Sequence, residues 1–147
     1  MRSGRLSGFK LAQSGATAVE FALVVAPMIL VLVGIAEFGR FFWMGQTLQR
    51  TATRAARCMG LLQSDCAVTG AYDATATLSY VRAQLLGYGI SPTGSTIVLN
   101  NLTSCGGVAN FSSVQIGYTF TAVAPTFIAG LGSGVPVTAK ACFPNQV

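Results

Sequence analysis

Gly15-Ala-Thr-Ala-Val-Glu-Phe-Ala-Leu-Val-Val-Ala-Pro-Met-Ile-Leu-Val-Leu-Val-Gly-Ile-Ala36 is an apolar run carrying one charge, Glu20. No ionisable residue stands between Phe21 and Ala36, and Phe38, Phe41, Phe42, Trp43 and Met44 extend the apolar character past Glu37 and Arg40. About 20 helical residues, each rising about 1.5 Å, cross the hydrocarbon layer of a bilayer, so the run is long enough to span one. The stretch before it is short and basic, and all four cysteines follow it. An ionised carboxylate inside such a helix costs about 2.5–3.5 kcal/mol on insertion scales, so Glu20 requires a neutralising partner. A cut after Gly15 creates one, because the new amine at Ala16 lies four residues before Glu20, where a neighbouring copy can pair with it.

Ser14-Gly15 followed by Ala16-Thr-Ala-Val-Glu20-Phe21, with Glu fifth after the glycine and a long apolar run behind, resembles a type IV prepilin processing site. The fuller pattern, with Pro27 and then Gly34-Ile-Ala-Glu37-Phe-Gly39, is similar to the TadE-like minor pilin (pseudopilin) family of the Tad, or tight-adherence, system that builds Flp pili. The resemblance covers about Gly15 to Arg57. It implies a prepilin peptidase acting between Gly15 and Ala16, and a stem that assembles with other pilin or pseudopilin subunits through Ala16, Glu20, Phe21 and Pro27. It also implies a structural protein, with no catalytic residues and no cofactor.

Composition narrows the alternatives. The net charge is +5, but Arg2, Arg5 and Lys10 fall in the first fifteen residues, and a chain starting at Ala16 carries +2. No large basic surface remains, which argues against nucleic-acid binding. Cys58, Cys66, Cys105 and Cys142 indicate an oxidising compartment, since a small exported domain with a limited core is commonly stapled by disulfides. No Cys-x-x-Cys pair and no histidine is present, so no metal site is expected. The basic count on the two sides of the apolar run does not settle its orientation. The cysteines place the carboxyl-terminal part outside the cytoplasm, giving a single-pass protein of the inner (cytoplasmic) membrane in contact with lipid, and in a pilus after assembly.

The expected organisation is α+β, with a leader over 1–15, a membrane-spanning and extended stem helix over 16–59, and a disulfide-stapled head over 60–147. Pro27 removes one helical hydrogen bond and is expected to kink or loosen the stem. Ala18, Ala22 and Ala26 form a small-residue stripe, either a helix-packing face or ordinary alanine usage. Leu48, Thr51, Ala52, Ala55 and Ala56 have the spacing of a face resting on the head, whereas Arg50, Arg54 and Arg57 share another face. That second face either meets lipid phosphates or an acidic partner, or is simply solvated. Leu78, Val81 and Leu85 predict a second helix over about Tyr72–Leu86, stopped by Gly87 and Gly89.

After Ser91-Pro-Thr-Gly94 the period becomes alternating. Ile97 and Leu99 mark one strand; Val114, Ile116, Tyr118, Phe120 and Ala122 a second; Val135, Val137, Ala139 and Ala141 a third. An antiparallel meander brings the ends of the first and third strands to the same end of the sheet. It therefore selects Cys58–Cys66 and Cys105–Cys142 from the three pairings, with the latter bridging strands about 9–10 Å apart. In the Gly-rich connection before the third strand, Phe127, Ile128 and Leu131 are candidates for a membrane or subunit contact, or for packing under the sheet.

Assembly is the leading function. A signal-anchored, unprocessed binding module is the first alternative. An anchored exported enzyme is the second, weakened because histidine is absent and the exported part has two carboxylates, Asp65 and Asp73. No small-molecule substrate is expected.

Overall fold

The computed structural model describes residues 11–122 and 134–146. Most of the first fifteen residues, and Phe127, Ile128 and Leu131, lie outside the described residues. The chain divides into two compact units, Met1–Gly39 and Arg40–Val147. Helix α1 runs Leu11–Gly60, starting five residues before Ala16. Pro27 lies inside α1 without ending it, because one missing N–H and its displaced carbonyl leave the hydrogen bonds on either side intact.

The second unit takes in α1 from Arg40 on because the end of the helix is core. Leu48, Ala52, Ala55, Ala56 and Met59 recur at helical spacing and are essentially unexposed. They join Val81, Leu85 and Ile90 from the second helical region and Val114, Ile116 and Ala139 from the sheet in one cluster. Alanine on the α1 face permits close approach, and Gly60 requires it, since a Cβ there would stand 2.7 Å from Phe143 Cδ1 and 3.0 Å from the Pro144 carbonyl.

Thr51 is the exception on this face. Its Oγ1 is buried and has no hydrogen-bond partner among the described residues. Leaving a buried hydroxyl unsatisfied costs about 1–3 kcal/mol, and valine has the same shape and similar helix propensity. Thr51→Val is therefore expected to raise the melting temperature of the head by roughly 4–8 °C per kcal/mol regained in a domain of this size. A lower melting temperature in a thermal scan contradicts the assignment.

A two-residue hairpin follows α1, with β1 (Ala67–Val68) pairing β2 (Ala71–Tyr72). Thr69 and Gly70, both at positive φ, supply the turn that such short hairpins favour. Helix α2 is Ala74–Gly87, two residues later than the spacing predicts at its start, because Tyr72 is drawn into β2 and Asp73 caps the helix. The Asp73 carboxylate accepts from the Ala76 N–H at 2.6 Å. Thr77, rather than Leu78, completes the buried stripe with Val81 and Leu85. At the far end Gly89 adopts positive φ and the Ile90 N–H returns to the Leu85 carbonyl at 2.9 Å, folding Ile90 into the core as the glycine stop requires.

The sheet is an antiparallel meander of β3 (Ser95–Cys105), β4 (Val108–Phe120) and β5 (Val135–Pro144), in that order. Val114, Ile116 and Phe120 are buried on one face of β4, while Gln115 and Thr119 are exposed on the other. The α1 segment beyond Arg40 lies along β5. Gln49 Nε2 donates to the Lys140 carbonyl at 3.0 Å, which satisfies a carbonyl on this edge strand.

Candidate functional site

The residues singled out for assembly lie on α1 in the first unit. Gly15, Ala16, Glu20, Phe21 and Pro27 are all exposed, Phe21 at 69%. At 100° per residue, Ala16 and Glu20 share one face, and Ala22 falls on the opposite one. No residue from Gly15 to Gln46 is buried, although Leu23, Val24, Met28, Ile29, Leu30, Val31, Leu32 and Ile35 are among them. So large an exposed apolar surface needs lipid or other helices to cover it. Among the described residues α1 is the one helix long and apolar enough to cross a membrane, and it lies near the amino terminus with the folded head after it.

At the start of the second unit the aromatic residues are anchored. Phe41 meets Phe120 edge-on with ring centroids 5.4 Å apart, and the Arg40 guanidinium lies 5.6 Å from the centroid of the same ring. Trp43 remains about half exposed, as suits an interfacial position. Among the three arginines that share a face, Arg54 donates to the Tyr88 hydroxyl at 3.0 Å and so tethers α1 to the end of α2. Arg50 and Arg57 are exposed.

Both disulfides form. Cys58 joins Cys66 with Cα atoms 5.8 Å apart, and Cys105 joins Cys142 at 6.5 Å. The second separation is shorter than the 9–10 Å expected across a flat three-stranded sheet. The pairing register of β3 with β4 shifts between Asn100 and Thr103 and again between Thr103 and Cys105, with Leu102 and Asn110 at positive φ. These bulges bend the hairpin end toward β5.

The two carboxylates of the second unit have separate settings. Asp73 caps α2 and Asp65 is exposed. Among the described residues no three His, Cys, Asp or Glu side chains converge as a metal site would need. Burial, with the Asp73 carboxylate adding to it, pushes the Tyr72 phenol above its ordinary range, so Tyr72 stays protonated at neutral pH.

Sequence reasoning missed a polar network at the bulged end of the sheet. Ser112 Oγ lies 2.9 Å from Asn101 Oδ1 and 2.6 Å from Asn145 Oδ1, and the Asn145 N–H donates to the Asn110 carbonyl at 2.9 Å. Asparagine within an otherwise alternating strand run was the signal available. In the comparison with protein families, residues 15–57 match the model described as TadE-like protein. No curated protein and no solved structure gives a significant match.

Proposed function

We propose that this chain is a pilin-like structural subunit of a Tad (Flp-type) system, made with a leader over 1–15, a stem over 16–59 and a head over 60–147. The observation that carries the reading is the coincidence of the family match with the exposed apolar part of α1: residues 15–57 match, and from Gly15 to Gln46 nothing is buried. A helix of this kind needs either lipid or sister helices around it, and a pilin stem meets each in turn. It is surrounded by lipid before assembly and by neighbouring stems afterwards.

In this reading a prepilin peptidase cuts between Gly15 and Ala16 at the cytoplasmic face of the inner membrane. The new Ala16 amine then neutralises Glu20 of an adjacent subunit. Ala22, across the helix from Glu20, belongs to the small-residue stripe, so a stem presents a charge-pairing face to one neighbour and a close-packing face to another. Phe21 and Pro27 lie in the apolar seam, where Pro27 leaves a carbonyl without its usual donor and lets the stem adjust its packing. The function is association, and no catalytic step is assigned to any residue.

The amino-terminal residue and intact mass of the protein recovered from membranes test this reading. The expected chain starts at Ala16 and gains the mass of four hydrogens on reduction of two disulfides. A chain that still starts at Met1 in cells with an active prepilin peptidase overturns the pilin reading in favour of an unprocessed anchored module.

A further inference from the structure

A cavity of about 300 Å³ opens where the end of α1, the β1–β2 hairpin and the bulged end of the sheet meet. Among the described residues its lining includes Tyr72, three carboxamides (Asn101, Asn110 and Asn145) and two leucines, Leu62 and Leu102. Among the described residues no charged side chain lines it. Four non-glycine residues among those described adopt positive φ, and three of them, Leu62, Leu102 and Asn110, line this one cavity. The fourth, Thr69, adjoins Gly70, which also lines it. Strained backbone gathered at one place marks a shaped site, because each such residue persists only where its surroundings hold it. Here the surroundings are stapled: Cys58–Cys66 spans Leu62, and Cys105–Cys142 pins the β3–β4 hairpin that carries Leu102 and Asn110.

We infer that this cavity binds a neutral sugar, one ring of an uncharged glycan, through the carboxamides of Asn110, Asn101 and Asn145 and the ring of Tyr72. The inference goes beyond assembly and does not depend on it. A carboxamide places a donor and an acceptor side by side, which matches two adjacent hydroxyls. The inner part of the network is held by the Ser112 hydroxyl, which donates to Asn145 Oδ1 at 2.6 Å, and by Asn145 Nδ2, which donates to Asn101 Oδ1 at 3.3 Å, so those groups are placed before a ligand arrives.

Asn110 is the adaptable member. It is exposed, and its amide contacts with Asn145 are 3.4 Å long, beyond the usual range, so a ligand hydroxyl displaces them at little loss. Leu102, 73% exposed, and the half-buried Tyr72 provide apolar surface for the C–H face of a sugar ring. The volume lies at the small end of the range for ligand sites, about 300–1,000 Å³, which suits a single ring better than an extended peptide. The absence of charge from the described lining residues disfavours phosphate, sulfate and uronic acids.

The test is saturation-transfer NMR on the full chain in a sugar-free zwitterionic detergent, with galactose, mannose and N-acetylglucosamine as neutral probes and glucuronic acid as the anionic one. Transfer to at least one neutral sugar is expected, stronger than to glucuronic acid. Asn110→Gly removes the carboxamide while suiting the positive φ, and should weaken that binding about tenfold with both disulfides retained. Tyr72→Leu, as a second variant, should weaken it comparably. Three results overturn the inference: no transfer to any neutral probe, equal or stronger transfer to glucuronic acid, or binding unchanged in Asn110→Gly with its disulfides intact.

Discussion

Replacing Cys105 and Cys142 together by serine is expected to destabilise the head by about 4 kcal/mol, against about 2.5 kcal/mol for replacing Cys58 and Cys66 by alanine. The difference follows from loop length. The first bridge links residues 37 apart in sequence and the second residues 8 apart, and an unfolded chain loses more freedom when a longer loop is closed. Serine suits the first pair because Cys142 is exposed and Cys105 half-buried, so little polar surface is newly buried. Alanine suits the second because both its cysteines are 0% exposed in the core.

Against a typical domain stability of about 5–15 kcal/mol, the first loss removes a large fraction. Amide exchange in β4, the central strand, measures it: about a thousandfold faster exchange for the Cys105/Cys142 variant and roughly seventyfold for the other, at about 1.4 kcal/mol per tenfold. Equal acceleration in the two variants, or the reverse order, rules out the loop-length account.

The same bridge shows where the sequence was legible and where it was not. Its pairing could be reasoned from alternation alone, because Val114, Ile116, Tyr118 and Phe120 mark β4, and a meander puts the ends of its outer strands at the same end of the sheet. The 6.5 Å approach of Cys105 to Cys142 could not be. It depends on bulges at Leu102 and Asn110, and neither leucine nor asparagine announces a positive φ by identity in the way glycine does. The core face of α1 was likewise legible in the spacing of Leu48, Thr51, Ala52, Ala55 and Ala56, since helical period and small side chains both point to packing.

The start of α2 shifted because a two-residue pairing with Ala67 captured Tyr72, and so short a ladder leaves no periodic trace. The Asn101–Ser112–Asn145 network was invisible for a related reason. Its members sit up to 44 residues apart and converge only once β3, β4 and the residue after β5 are in register. Motifs confined to one helix, such as Gly15 to Phe21, need no such convergence, and this is the part of the chain where family resemblance and family match coincide.

Replacing Glu20 by alanine is expected to leave a processed, membrane-inserted protein with a folded head and to reduce its recovery in assembled filaments about a hundredfold. Under the proposed function, lipid surrounds Glu20 before assembly, and an unpaired carboxylate there costs about 2.5–3.5 kcal/mol. Pairing with the Ala16 amine of a neighbour relieves that cost, so the parent subunit is driven from lipid into the filament by a free energy of the same size. At about 1.4 kcal/mol per tenfold, this corresponds to roughly two orders of magnitude in the partition. Alanine abolishes the cost and with it the drive.

The variant should therefore insert into the membrane at least as well as the parent while failing to leave it. A general folding defect predicts the opposite, a loss from the membrane as well. Glu20 is exposed on α1 and contributes nothing to the core formed by Leu48, Val81 and Ile116, so both disulfides should still form. Glu20→Gln separates charge from shape, because the amide keeps the size of the side chain but cannot form an ion pair, and it should behave as the alanine variant does. Quantifying the subunit in sheared filaments and in the membrane fraction of the same cells decides the matter. Filament incorporation equal to the parent for either variant removes the ion pair from the account and leaves apolar packing of the stem as the driving contact.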